Sequence, residues 1–324
     1  MNFTQFNELL LSVILGIVQG LTGVLPIGGD AHIRLVSSIL LNGRDVRELS
    51  LSAIGIGTTL GLVQFFWKKI IVYAKRIQII CTDVNERRVF LENFRGWWSS
   101  RRVTNNTVDI QLAQLATALL PISIISLITG NLATNSRSVR DIALFLLAGS
   151  GLMIIAEYLK TYIKRLGEVE RETEVFLPVE VVLVGLFQSL GVFPGISGLG
   201  AGICAGLLVG KQRKVAVYFS LLIFTVTGLW NTLVTLVQII VSVFSNSYTL
   251  FPNSQSWSTT AFNNRISISL VGCFLGLFCS YLVTWITTNI VDQYLIRKNL
   301  QNIIIYRLIL GVGLLVWIAS PFSK

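Results

Sequence analysis

Apolar positions in this chain come in long runs without alternation. Six of them, at about 50–67, 112–130, 142–162, 215–243, 266–289 and 303–320, are each long enough to cross a bilayer as a helix. Two further segments, 9–42 and 178–210, are apolar at both ends but carry Pro and Gly near their middles. Each predicts two half-length helices joined by a loop, an arrangement tolerated at membrane depth where it lines a cavity inside the protein. None of the runs has the period-two pattern of a barrel strand.

Composition agrees. Of 324 residues, 53% are hydrophobic and only 13% charged, with a mean hydropathy of +0.70, whereas a soluble domain carries about 25% charged residues. The expectation is an all-α polytopic membrane protein with about six transmembrane helices and two re-entrant helix-loop-helix segments. Cys81, Cys204, Cys273 and Cys279 lack metal-ligand spacing and read as small buried apolar residues. The N-terminal "MNFTQFNELLLSVILG" has no basic leader and no clear cleavage site, so it reads as mature protein.

The two broken segments resemble each other. "GIVQGLTGVLP" (16–26) and "GLFQSLGVFP" (185–194) share Gly, then Gln three residues on, then Gly-Val and a closing Pro. Each precedes three full-length runs, which predicts a repeat of about 168 residues, with halves 1–165 and 175–324 of one membrane domain. The net charge of +10 is distributed with the same logic. Lys68, Lys69, Lys75, Arg76, Arg87, Arg88, Arg95, Arg101 and Arg102 share a side with Lys160, Lys164, Arg165, Arg171, Lys211, Arg213, Lys214, Arg297 and Lys298. The opposite side holds Arg34, Arg44, Arg47, Arg137, Arg140, Arg265 and Lys324. The positive-inside rule makes the richer side cytoplasmic. The two halves then have opposite orientation, and their breaks enter from opposite faces to meet near the midplane. The basic loop 68–111, with Trp97 and Trp98, reads as a surface on the anionic inner leaflet or for a membrane-protein partner, not as a nucleic-acid site.

The chain resembles the undecaprenyl pyrophosphate phosphatases. That family's first motif, Glu/Gln-Gly-x-Thr-Glu-Phe-Leu-Pro-x-Ser-Ser-Thr-Gly-His, reads here "QGLTGVLPIGGDAH" (19–32), and its second, Pro-Gly-x-Ser-Arg-Ser-Gly, reads "PGISGLG" (194–200). "FFWKK", "IAEYLK", "YFSLL" and "IIYRLILG" follow in the family's order over nearly the whole chain. The resemblance implies the inverted-repeat fold, a polyprenyl-phosphate or pyrophosphate lipid of the bacterial cell-wall carrier cycle as ligand, and a bacterial inner or similar energy-transducing membrane. It also implies that the first motif's second acidic residue, serine pair and histidine, and the second motif's serine and arginine, act on the pyrophosphate. Here those positions are Gly23, Gly28-Gly29, His32, Ser197 and Gly198; Asp30 replaces the threonine and Leu199 a serine.

Loss of an arginine clamp on a transferred phosphoryl group costs on the order of 10³ or more in rate. Losing the carboxylate removes a general base or a cation ligand, and Asp30 sets a negative charge where an anion must sit. Glycines can still offer backbone N–H groups to phosphate. His32 and Ser197 are therefore read as catalytic remnants, and Gln19, Gly28, Gly29, Asp30, Gly195 and Gly198 as the substrate-binding set. No cofactor is called for, apart from a divalent cation if the site works. Two alternatives stand beside a pseudoenzyme: an active phosphatase with a rearranged site, and a lipid-phosphate transporter or subunit of a membrane complex. Arg307 and Glu157, ionisable residues in or at the ends of apolar runs, are further functional candidates. Arg34 is a lesser candidate to swing in as a substitute phosphate clamp.

Overall fold

The computed structural model describes residues 3–40, 48–99, 107–135, 138–165, 175–245 and 270–320. Eleven α-helices account for nearly all of them: α1 (Phe3–Thr22), α2 (Gly29–Leu40), α3 (Glu48–Thr82), α4 (Val84–Trp98), α5 (Thr107–Asn135), α6 (Val139–Arg165), α7 (Pro178–Ser189), α8 (Gly198–Leu208), α9 (Arg213–Ser245), α10 (Leu270–Arg297) and α11 (Gln301–Ala319). A 3₁₀ turn (Leu190–Val192) follows α7, and no strand occurs among the described residues. Five stretches are long and apolar enough to cross a membrane: Val108–Ile128, Val139–Tyr162, Arg213–Val237, Val271–Arg297 and Gln301–Ala319. The protein is a multi-pass integral membrane protein. The sixth expected span, 50–67, is the first half of α3, which carries Ser52, Thr58, Thr59 and Gln64 among its apolar residues.

Both broken segments form as expected, α1 with α2 and α7 with α8. Local chemistry sets their limits. Pro178 opens α7, where its missing N–H is no loss, and the Glu180 carboxylate accepts the Leu177 N–H at 2.8 Å. Ser197 caps α8 by accepting the Gly200 N–H at 3.1 Å.

Small residues let these helices pack closely, as lipid-embedded helices must. On α1, a Cβ at Gly16 would lie 2.5 Å from the Gly276 carbonyl of α10, and one at Gly20 would lie 2.8 Å from the Ser280 carbonyl. Gly185 of α7 packs in the same way on the Ala118 carbonyl and Pro121 ring of α5. Helix α8 is buried along its length, with Leu199, Ile203, Cys204 and Leu207 in the main apolar core beside Val217, Leu221 and Ile223 of α9.

The stretch 68–111 is not an open loop. Helix α3 continues through Lys68, Lys69, Lys75 and Arg76 to Thr82, because Lys and Arg leave the bilayer without breaking a helix. A turn at Asp83 starts α4, whose second residue, Asn85, donates its backbone N–H to the Asp83 side chain. Arg76 donates to Asp109 at 2.6 and 3.0 Å and to Glu86 at 2.7 Å, tying α3 to α4 and α5 and raising its own pKa. Trp97 and Gln114 both donate to the Phe176 carbonyl, at 2.8 and 3.0 Å. Arg44, Arg47, Arg101, Arg102, Arg137, Arg171, Arg265 and Lys324 lie outside the described residues, as do the side chains of Lys164 and Arg165.

Candidate functional site at the crossing of two helix breaks

The two breaks touch. Gly28 and Gly195 both have positive φ, +89° and +113°, and a Cβ on Gly28 would lie 2.9 Å from the Gly195 carbonyl oxygen. Only glycine adopts such a backbone without strain and admits so close an approach. The N-termini of α2 and α8 start beside this crossing, at Gly29 and Gly198, so two partial positive helix ends lie near one place.

Arg307, fully buried on α11, fastens the crossing. Its guanidinium donates to the carbonyls of Pro26 (3.3 Å), Gly195 (2.9 Å) and Leu146 (3.2 Å) and to the Ser150 hydroxyl (3.3 Å). One side chain thus binds the first break, the second break and α6. It makes no ion pair among the described residues, so its charge is met by neutral dipoles alone. Gly149 leaves the space the guanidinium fills.

His32, buried one turn into α2, is engaged at both nitrogens. Nδ1 donates to the Gly28 carbonyl at 2.8 Å; a carbonyl only accepts, so Nδ1 carries the proton. Nε2 of the neutral ring then accepts from the Tyr306 hydroxyl at 2.7 Å, and the two rings stack with centroids 5.7 Å apart. Tyr306 and Arg307, adjacent on α11, together hold the first break.

The other expected site residues fall as follows. Ser197 is spent on the α8 cap. Gln19 is half-buried and its Oε1 has no hydrogen-bond partner. Gln188, in the similar stretch 185–194, is buried with both amide atoms unpartnered. Asp30 is exposed in the first turn of α2. The glycines that stand at the resemblance's acidic, serine and arginine positions are packed tight. A Cβ on Gly29 would lie 2.9 Å from the Gly23 Cα, and one on Gly198 would lie 2.8 Å from the Gln188 carbonyl. A Cβ on Gly23 would lie 2.7 Å from the Gln19 carbonyl. Glu157 is structural: it accepts from Arg213 at 2.6 and 2.7 Å and from the Leu300 N–H at 2.9 Å, linking α6, α9 and the start of α11.

A divalent cation does not suit this donor set. Asp30 is the single carboxylate in 19–32 and 188–200, and the Pro26, Gly28 and Gly195 carbonyls already accept from Arg307 and His32. Among the described residues no three His, Cys, Asp or Glu side chains cluster in a metal-binding geometry. Tyr306 and Gln188 were not singled out from sequence. Tyr306 carried a signal, as half of a polar Tyr-Arg pair inside the apolar "IIYRLILG".

Fold and site define an all-α multi-pass membrane protein with two broken helix pairs crossing at glycines. A family model described as bacitracin resistance protein BacA matches residues 12–313, and the chain belongs to that family. The curated undecaprenyl-diphosphatase of Mycobacterium leprae is 25% identical over 308 residues, covering 95% of this chain and 93% of that protein. The undecaprenyl-diphosphatase of Prochlorococcus marinus is 27% identical over 315 residues, covering 95% and 99%. That of Micrococcus luteus is 30% identical over 217 residues, covering 65% and 68%.

Proposed function

We propose that this chain is an undecaprenyl-diphosphatase-like membrane protein that keeps a cavity for a polyprenyl phosphate or pyrophosphate but is impaired in hydrolysis. The observation that carries this reading is the closed glycine lining. At Gly28, Gly29 and Gly198 the space a catalytic side chain would leave by is filled by neighbouring backbone, 2.8–2.9 Å from an ideal Cβ. A side chain at these positions needs that backbone to shift. The surviving polar groups are committed elsewhere: His32 to Gly28 and Tyr306, Ser197 to its helix cap.

Binding of an anionic head is supported separately. Two helix N-termini and an arginine without a carboxylate partner set a positive potential at the crossing. The inverted repeat, with halves 1–165 and 175–324 and re-entrant breaks entering from opposite faces, is part of the proposal. It is supported by Gly16 and Gly185, equivalent in the two motifs, each packing on a carbonyl of a helix from the other half. The same arrangement favours a second reading, movement of a lipid phosphate across the bilayer.

The test is phosphate release from undecaprenyl pyrophosphate by the purified protein, beside the Mycobacterium leprae relative, with binding of undecaprenyl phosphate measured in parallel. Binding with turnover at least a hundredfold below the relative is the expected result. Turnover within tenfold of it, abolished in His32→Ala, would establish the rearranged active site instead. Lipid movement in liposomes without phosphate release would favour the transporter.

A further inference from the structure

We infer that α4 and the start of α7 form a binding site for an anionic phospholipid, independent of whether the glycine crossing hydrolyses anything. Helix α4 has two different faces. Trp97, Phe94, Asn93 and Glu86 turn inward, where Asn93 donates to Asp109 at 2.9 Å and Glu86 accepts from Arg76. The outward stripe, at the 3.6-residue spacing of one helix face, runs Val84, Arg88, Leu91, Arg95, Trp98, every member exposed. Arg87, beside it, is already committed to the Ile80 and Cys81 carbonyls that end α3. Arg88 and Arg95 make no side-chain hydrogen bond or ion pair among the described residues, and Glu92 alone opposes their charge along the stripe.

Trp98 ends this stripe at an apolar groove of about 360 Å³ that it lines with Leu177, Pro178, Val179 and Val182. Beyond the groove, α7 exposes Val179, Leu183 and Leu186 along one helix face. Basic side chains, an interfacial tryptophan and a lipid-facing apolar track thus follow one another from the protein's rim into the membrane. That is the order of parts in a phospholipid: anionic headgroup, interface, acyl chain. A neutral headgroup matches the apolar track but leaves unanswered the net positive charge of two arginines against the single Glu92, so the occupant is an anionic lipid of the leaflet on the α4 side.

The experiment uses full-length protein, delipidated in detergent and offered equal phosphatidylglycerol and phosphatidylcholine, with retained lipid counted by native mass spectrometry. Wild type is expected to retain phosphatidylglycerol preferentially. Arg88→Gln with Arg95→Gln should lower that preference by about ten- to thirtyfold, since each basic residue near a membrane surface contributes about fivefold. The Lys pair at the same positions should keep it. Trp98→Ala with Val179→Ser should lower retention of both lipids. Thermal unfolding of these surface variants should match wild type. A wild type with no preference, or a Gln pair that keeps it in full, overturns the proposal. A polypeptide that co-purifies in place of lipid and is lost in the Gln pair also overturns it, assigning the surface to a protein.

Discussion

The Tyr306 hydroxyl donates to His32 Nε2 at 2.7 Å, joining the first break to the C-terminal helix across 274 residues of chain. The contact gives His32 a packing role that needs no chemistry. Tyr306→Phe should leave a buried acceptor unpaired and cost about 1–2 kcal/mol, read as a lower unfolding midpoint in detergent. His32→Ala should destabilise at least as much while leaving phosphate release unchanged at background. A loss of turnover in that variant without loss of stability would return His32 to chemistry.

Arg307→Met removes the donors that hold Pro26 and Gly195 while roughly keeping the volume; the Leu146 carbonyl still accepts from the Ser150 hydroxyl. Each carbonyl left buried without a partner costs about 1–3 kcal/mol, so a total loss of at least about 2 kcal/mol is expected. Amide exchange should rise at residues 27–29, 193 and 195–197 before it rises in the α6 or α11 interior. Uniform exchange across the chain would show that the arginine does not act through the breaks.

Restoring family side chains one at a time should not restore activity. Gly198→Arg sets a Cβ against the Gln188 carbonyl, and Gly28→Ser adds a left-handed backbone strain of about 1–3 kcal/mol to its contact with Gly195. Both variants should be less stable than wild type and release no more phosphate. A Gly198→Arg protein that turns over undecaprenyl pyrophosphate would contradict the closed lining.

Gly16→Val and Gly185→Val test the repeat. Each sets a side chain against a carbonyl of a helix from the opposite half, α10 and α5 respectively. Losses of stability within about 1 kcal/mol of each other, both above about 2 kcal/mol, are expected from overpacking at matched sites. One tolerant and one intolerant position would argue against equivalence.

The helices and the two breaks were legible because apolar run length and Pro/Gly interruption are local signals. The end of α3 was not, since Lys68 and Lys69 mark where the chain leaves lipid, and a helix indifferent to that boundary continues to Thr82. The site was legible in its residues and illegible in its contacts. Gly28 and Gly195 stood in motifs, but nothing in a linear pattern says that they touch or that Arg307 donates to both breaks. Ser197 reads from sequence as a nucleophile or a cap, and the 3.1 Å bond it accepts from Gly200 shows that it caps α8. The glycines at 28, 29 and 198 read from sequence as missing side chains; the structure adds that a Cβ at each meets backbone or neighbouring atoms within 3 Å.

Arg307 also sets an order of events. Pro26 lies near the beginning of the chain and its guanidinium partner 281 residues later, on the last described helix. While the protein is being synthesised and inserted, the first break must wait with that carbonyl unanswered until α11 arrives. The arginine's bonds are therefore the last of the crossing's contacts to form, and a chain stalled or cut before residue 301 would lack the donors that tie its two breaks together.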